Sequence, residues 1–348
     1  MTQALGSNGD VERSEARPPA TMKAVFQDSY GTADVLEFGR VDTPVVDDDR
    51  MLVRVRAAGT HVGDWHVMTG LPYMIRAMGY GLRGPKARVR GTDFAGTVEA
   101  VGENVTAFRP GDEVFGVGQG SFAEYCVARP DRVILKPPDL AFEQAAALPT
   151  SGLTALQALR DKANVRPGHK VMVIGAGGGV GSFAVQLAKA FGAHVTGVCS
   201  TTKVDLVASL GADEVIDYTR KDPVGTGGRY DLIVDTAGGR PLSHLRGALT
   251  AGGTLVLVGA EGGGRLIGPI GRSLRAIVLS PFVGQRLPWL VASVRPDDLI
   301  TLAGLVVEGK VTPVIDRTYP LAEAPAALAY LGEGHARGKT IITIGDMR

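Results

Sequence analysis

The stretch that most restricts what this chain can fold into is Ile174-Gly-Ala-Gly-Gly-Gly-Val-Gly-Ser182. It follows Lys170-Val-Met-Val-Ile, a short apolar run with the character of a buried strand, and it opens a helical stretch from Ser182 to Phe191. A glycine-rich turn between a buried strand and a helix N-terminus lets peptide N–H groups approach a pyrophosphate, where the helix dipole favours negative charge. A Cβ at the point of closest approach would block the ligand. Read to end at Gly181, the fingerprint is Ala176-x-Gly178-x-x-Gly181, with alanine in the first glycine slot. Gly178, Gly179, Val180 and Gly181 are therefore the candidate phosphate contacts.

The surroundings support a dinucleotide site. Strands are expected at 194–198, 214–216, 231–234 and 254–258, with helices at 203–210 and 241–249 between them. Strands alternating with helices make βαβ units and a parallel sheet. Before residue 148 the pattern differs. Met51-Leu-Val-Arg-Val-Arg-Ala alternates, and short strands separated by Gly/Pro turns predict a compact, barrel-like β domain. A final strand from Lys339 is expected to return to it. Two domains suit the length: residues 22–147 with 288–348, and residues 148–287. Residues 1–21 are polar, mixed in charge and lack the apolar centre of a secretory signal, so a disordered leader is expected.

Composition excludes several classes. Glycine is 48 of 348 residues, roughly twice ordinary usage, but no collagen period runs through it. Lysine plus arginine is 37 against 36 acids, so no bulk field draws the chain to nucleic acid or to anionic membranes. Two distant cysteines, Cys126 and Cys199, fit a reduced cytoplasmic chain without a disulfide framework. The apolar window 276–294 contains Pro281, Gln285, Arg286 and Pro288, which rules against a membrane span.

The second strand of the parallel series ends Val198-Cys-Ser-Thr-Thr-Lys203. An NAD site usually places an acid there for the ribose 2′-hydroxyl. A hydroxyl, backbone N–H groups and a lysine suit a 2′-phosphate instead, so NADPH is the expected cofactor.

At this point the chain resembles the medium-chain dehydrogenase/reductase superfamily, in its zinc-free quinone oxidoreductase branch, over residues 22–346. The matching stretches include Gly91-Thr-Asp-Phe-Ala-Gly-Thr-Val-Glu, Pro110-Gly-Asp-Glu-Val-Phe-Gly, Gly120-Ser-Phe-Ala-Glu-Tyr and Gly211-Ala-Asp-Glu-Val-Ile-Asp-Tyr. The resemblance implies an α/β chain: a GroES-like β domain completed by the C-terminus, plus a Rossmann doubly wound parallel-sheet domain, with the active site between them. It implies Ser200, Lys203 and Tyr218 around the 2′-phosphate. It also implies Thr154, Gly259, Phe282 and Val283 on the nicotinamide side, and a homodimer formed through a strand near Ala276–Leu279.

Zinc-dependent members of the superfamily hold a catalytic zinc with Cys, His and Cys. By the resemblance, those positions fall at His61, at Thr92 in Gly91-Thr92-Asp93, and near Pro149-Thr150. A zinc site needs three protein ligands, so none is expected. Zinc-free relatives usually carry Asn at the His61 position and often Tyr at the His66 position.

His61, Asp64 and Tyr73 are the candidate catalytic residues. His61 or Tyr73 would hydrogen-bond a substrate carbonyl on which negative charge develops, and a histidine can deliver a proton near neutral pH. The bland readings are a histidine bonded to backbone at a turn and an aspartate capping a helix. The segment 71–90 mixes Tyr73, Met74, Ile75, Met78 and Tyr80 with five cations, which suits a substrate lid or a solvated face.

The expected activity is NADPH-dependent, zinc-independent reduction of apolar quinones or α,β-unsaturated carbonyls by hydride transfer, without nucleic-acid or membrane partners. Alternatives are a zinc-free alcohol/ketone oxidoreductase and a non-catalytic NADPH-binding sensor or RNA-binding protein.

Overall fold

The computed structural model describes residues 18–225, 229–258, 264, 266, 268 and 270–345. The N-terminal part holds β1 (Thr21–Phe26), β2 (Glu37–Asp42), β3 (Met51–Gly59), α1 (Val62–Thr69), β4 (Asp93–Val101), β5 (Glu113–Gln119) and β6 (Tyr125–Leu135). β1 and β2 pair as an antiparallel hairpin. β3 lies against β4 along its length, against β6 through Met51–Arg54, and against a C-terminal strand through Ala57–Gly59. Because β4, β5 and β6 pair in succession and β6 returns to β3, the sheet closes on itself. That removes the free edge that β6 would expose in a flat sheet.

α2 (Phe142–Ala147) and α3 (Pro149–Gln157) lead into the second unit. There β7 (Lys170–Ile174), α4 (Gly179–Ala190), β8 (His194–Cys199), α5 (Val204–Ser209), β9 (Glu214–Asp217), β10 (Tyr230–Asp235), α6 (Leu242–Gly247) and β11 (Leu249–Leu257) alternate. The parallel order is β11-β10-β7-β8-β9. The chain thus runs outward from β7 in both directions, which puts the topological switch point, where such sheets bind ligands, between β7 and β10. Residues 286–290 run beside β11, with parallel bridges Thr254–Arg286 and Leu257–Trp289, so the parallel layer continues past residue 287.

α7 (Ile270–Leu279), α8 (Pro296–Val307), β12 (Ile315–Pro320), α9 (Ala324–Gly332) and β13 (Lys339–Thr343) complete the fold. β13 joins the first sheet antiparallel to β3, as the sequence predicts. The expected strand at Ala276–Leu279 is a helix instead. Leu274, Ile277 and Val278 stand at helical spacing there, on the exposed side of α7, whereas a strand would alternate its faces. A dimer built through a strand at this place therefore has no strand to pair.

One apolar core runs through both units. Ala145 and Leu148, Leu153 and Leu156 of α3, Val171 and Val173, Phe183 and Leu187, Leu302, and Ile341 of β13 belong to it. α3 is buried nearly all round, as a helix clasped between two layers must be.

Candidate active site

The glycine turn leaves β7 at Gly175 and opens α4 at Gly179. Gly181 is required by packing: a Cβ there would lie 2.0 Å from the Gly175 carbonyl oxygen. Gly178 has no such reason. Its φ of −95° is ordinary, and the nearest atom to an added Cβ is 3.4 Å away. The space in front of Gly178 is open, beside the first-turn N–H groups of α4 that lack intrahelical acceptors. A backbone with no Cβ facing open space at a helix N-terminus fits a pyrophosphate, so the dinucleotide expected from the sequence suits the residues present.

The turn before β13 docks on this loop. Gly338 N–H donates to the Gly177 carbonyl, and the Lys203 ammonium donates to the Ala336 carbonyl at 2.7 Å while its stem lies along Gly177. Ser200 Oγ is 3.4 Å from Thr202 Oγ1. Asp217, at the end of β9, accepts from the Thr201 and Thr219 hydroxyls.

Tyr218 borders an open cleft of about 790 Å³ at the C-terminal ends of β9 and β10, whose lining also includes Arg220, Lys221, Arg240, Pro241 and His244. The Arg240 guanidinium lies 5.5 Å from the Tyr218 ring centre. Arg240 was not among the sequence candidates. The available signal was its place just past a parallel strand end, after Gly238-Gly239.

Of the residues expected on the nicotinamide side, Thr154 is buried on α3 and donates to the Thr150 carbonyl. Val283 packs beside the core of the parallel sheet, whereas Phe282 is 82% exposed on a turn after α7. Gly259 lies outside the described residues.

The catalytic candidates His61 and Asp64 come together at the start of α1. His61 precedes the helix in an extended conformation, and its backbone N–H donates to Asp64 Oδ2 at 2.9 Å. The helix-capping role foreseen for Asp64 is thus present. The His61 ring reaches Thr92 Oγ1 with Nε2 at 2.8 Å. The same nitrogen stands 3.6 Å from Asp64 Oδ2 and 3.9 Å from Asp93 Oδ1. Both carboxylates are buried, and burial pushes the Asp64 carboxyl above the usual range, against the pull of His61. Tyr73 is placed on the 71–90 segment, half-exposed, with its ring 4.8 Å from the Arg76 guanidinium.

Asp93 is held from the other side. Thr150 donates to it twice, from its hydroxyl to Oδ1 at 2.5 Å and from its backbone N–H to Oδ2 at 3.1 Å. The Lys339 ammonium is 3.8 Å from Oδ2 and donates to the Thr60 carbonyl at 2.6 Å and to Ser151 Oγ at 3.1 Å. Burial pulls the Lys339 amine below its ordinary value. Lys339 was also missed from sequence; a lysine opening the apolar run Thr-Ile-Ile was the signal. The four positions that would surround a zinc are thus bonded in two pairs, His61 with Thr92 and Asp93 with Thr150. One imidazole, two hydroxyls and one carboxylate already engaged by Thr150 do not fit a zinc centre.

The family comparisons agree with this architecture. Residues 47–139 match the family model described as an alcohol dehydrogenase GroES-like domain, and residues 210–342 the one described as a zinc-binding dehydrogenase. The chain is 35% identical to a chloroplast envelope quinone oxidoreductase homolog of Arabidopsis thaliana, over 92% of this chain and 98% of the relative. The chain belongs to the medium-chain dehydrogenase/reductase superfamily, in its quinone oxidoreductase-like branch. It is 34% identical to a 2-methylene-furan-3-one reductase of Solanum lycopersicum, over 93% of this chain and 79% of the relative. The solved quinone oxidoreductase from Coxiella burnetii superposes with a TM-score of 0.83 at 31% identity, covering 93% of this chain and all of that one. The enzyme is thus an oxidoreductase of this superfamily, and a nicotinamide cofactor follows from the family. The zinc named in the second family description is not matched by the donor set at residues 61, 92, 93 and 150.

Proposed function

We propose that this enzyme reduces quinones or α,β-unsaturated carbonyls with NADPH, without zinc, and that the His61 imidazole, held by Thr92, delivers the proton. The observation that carries the reading is the 2.8 Å contact of His61 Nε2 with the Thr92 hydroxyl, at the place where zinc-dependent relatives hold their metal. When bound, the cofactor supplies a hydride. Its transfer to an enone or quinone leaves negative charge on the substrate oxygen, and a donor aimed there lowers the barrier. The imidazole gives up one proton to that oxygen and regains one from solvent, so NADPH, a proton and a quinone become NADP⁺ and a hydroquinone. Thr92 bonds Nε2 of the ring and Asp64 holds the His61 backbone N–H; Thr150 and Lys339 hold Asp93 beside it. The names of the tomato and Coxiella relatives support both acceptor classes.

The cofactor preference rests on the end of β8, where Ser200 and Lys203 take the place of the acid usual in an NAD site while Asp217 of β9 is engaged by the Thr201 and Thr219 hydroxyls, and on Tyr218 with Arg240. A guanidinium stacked on an aromatic ring at the adenosine end suits a 2′-phosphate. Both cysteines are free and buried, which suits the reducing cytoplasm as its location.

The test is NADPH oxidation against ortho- and para-quinones, alkenals, simple ketones and, in reverse, alcohols. Turnover with quinones or alkenals, lost in His61→Ala, supports the reading. Binding of NADPH without turnover of any acceptor, or turnover confined to ketones and alcohols, contradicts it.

A further inference from the structure

The balanced total charge conceals a local imbalance. Residues 71–90 carry five cations and no acid, and residues 262–282 carry three arginines and no acid. The two stretches meet: Met74 N–H donates to the Leu266 carbonyl at 3.3 Å, and Pro72 lies against Gly268. Both present large apolar side chains to solvent. Met78, Leu82 and Leu266 are exposed, and α7 is turned inside out, burying Ser273 and Ala276 while exposing Leu274, Ile277 and Val278. Exposed apolar side chains gathered on two adjoining stretches point to an interaction site. Arg83, Lys86 and Arg275 are exposed along the same stretches. Arg88 is held by Asp28 and Arg76 by the rings of Tyr30 and Tyr73, which fixes the strap they belong to.

We infer that this surface docks on an anionic lipid bilayer, with α7 and the 71–90 strap lying in the headgroup region. Arg88 is neutralised by Asp28 and Arg272 by Asp235, which leaves Arg83, Lys86 and Arg275 as exposed cations beside the apolar side chains, the chemistry of an interfacial segment. A second copy of the chain fits less well. A two-fold interface sets a patch against itself, and here that would oppose Arg83, Lys86 and Arg275 to their own copies, with the exposed Asp28 carboxylate already taken by Arg88. No helix among the described residues is long and apolar enough to cross a membrane, so the contact is peripheral. The strap begins at the C-terminus of α1, where His66 Nδ1 bonds the Leu71 carbonyl, and the N-terminus of the same helix adjoins His61. The docked face therefore adjoins the site. It follows, resting on the quinone reading above, that the acceptor is a lipid-dissolved quinone.

The test is sedimentation of the full chain with phosphatidylcholine vesicles, with and without phosphatidylserine. Binding is expected only when phosphatidylserine is present, weakening as salt rises. Arg83→Glu/Lys86→Glu and Leu274→Ser/Val278→Ser should each reduce it by roughly tenfold, with unchanged thermal melting and unchanged turnover of a water-soluble quinone. Equal sedimentation with both vesicles, or none, overturns the proposal. So does a dimer that the Leu274→Ser/Val278→Ser variant dissociates without any vesicle binding, which would assign the patch to a second copy. Vesicle binding is read without any acceptor, so its failure is separate from that of the quinone reading. Normal binding and normal turnover of soluble quinone, with a bilayer-dissolved quinone left unreduced, overturns the lipid-acceptor step alone.

Discussion

His61 Nε2 stands 2.8 Å from the Thr92 hydroxyl, and the same nitrogen lies 3.6 Å from the Asp64 carboxylate and 3.9 Å from that of Asp93. In the proposed mechanism the imidazole donates the proton and the hydroxyl holds the ring. His61→Ala is expected to lower kcat by roughly a hundredfold or more, within the range of lost general acids. Thr92→Val should cost about tenfold and shift the pH profile of kcat, because it removes the ring's partner without removing the acid. Steady-state kinetics with a soluble quinone checks both.

The two glycines of the phosphate turn should separate folding from binding. Gly181→Ala places a Cβ against the Gly175 carbonyl and is expected to destabilise by about 1–3 kcal/mol or more. Gly178→Ala meets no protein atom closer than 3.4 Å and should leave urea unfolding within about 0.5 kcal/mol, while weakening dinucleotide binding. Calorimetric titration beside urea melts reads both effects. Equal destabilisation by the two variants would mean that Gly178 serves packing after all.

Arg240→Ala is expected to weaken NADPH binding by roughly tenfold, the value of a charge-assisted contact to phosphate, with NADH little changed. Lys203→Ala should do less, since its ammonium already serves the Ala336 carbonyl. Equal losses for both cofactors in Arg240→Ala would remove it from the 2′-phosphate site.

The fold was legible because its signals are local. The apolar run 170–174, the glycines after it and the alternating elements to residue 257 each reflect backbone needs that a sequence displays directly. His61 and Asp64 were legible for the same reason, three residues apart on one helix start. Lys339 and Arg240 were not. Lys339 reaches Asp93 across 246 positions through the pairing of β13 with β3 and Arg240 meets Tyr218 across the sheet, and no local pattern announces either. The segment 276–279 misled through resemblance: its apolar residues fit a strand or an outward helix face equally, and the tertiary setting decided for the helix.

Burial holds the His66 imidazole below its ordinary 6.5, with Nδ1 bonded to the Leu71 carbonyl. A folded-state value below the unfolded one means that stability is complete above about pH 6.5 and is lost as pH falls through the folded value. His66→Phe is expected to flatten this acid limb in urea melts taken from neutral pH downward. A limb unchanged in the variant would assign the acid sensitivity to other groups.

The central claim is hydride transfer from NADPH with a proton from His61, and a single comparison tests it most directly: the rate of NADPH oxidation by a soluble quinone in the parent enzyme and in His61→Ala, each saturated with cofactor. Rapid turnover in the parent and a loss of roughly a hundredfold in the variant, with NADPH affinity unchanged, is the expected result. Equal rates in the two proteins, or no oxidation by the parent, would contradict it.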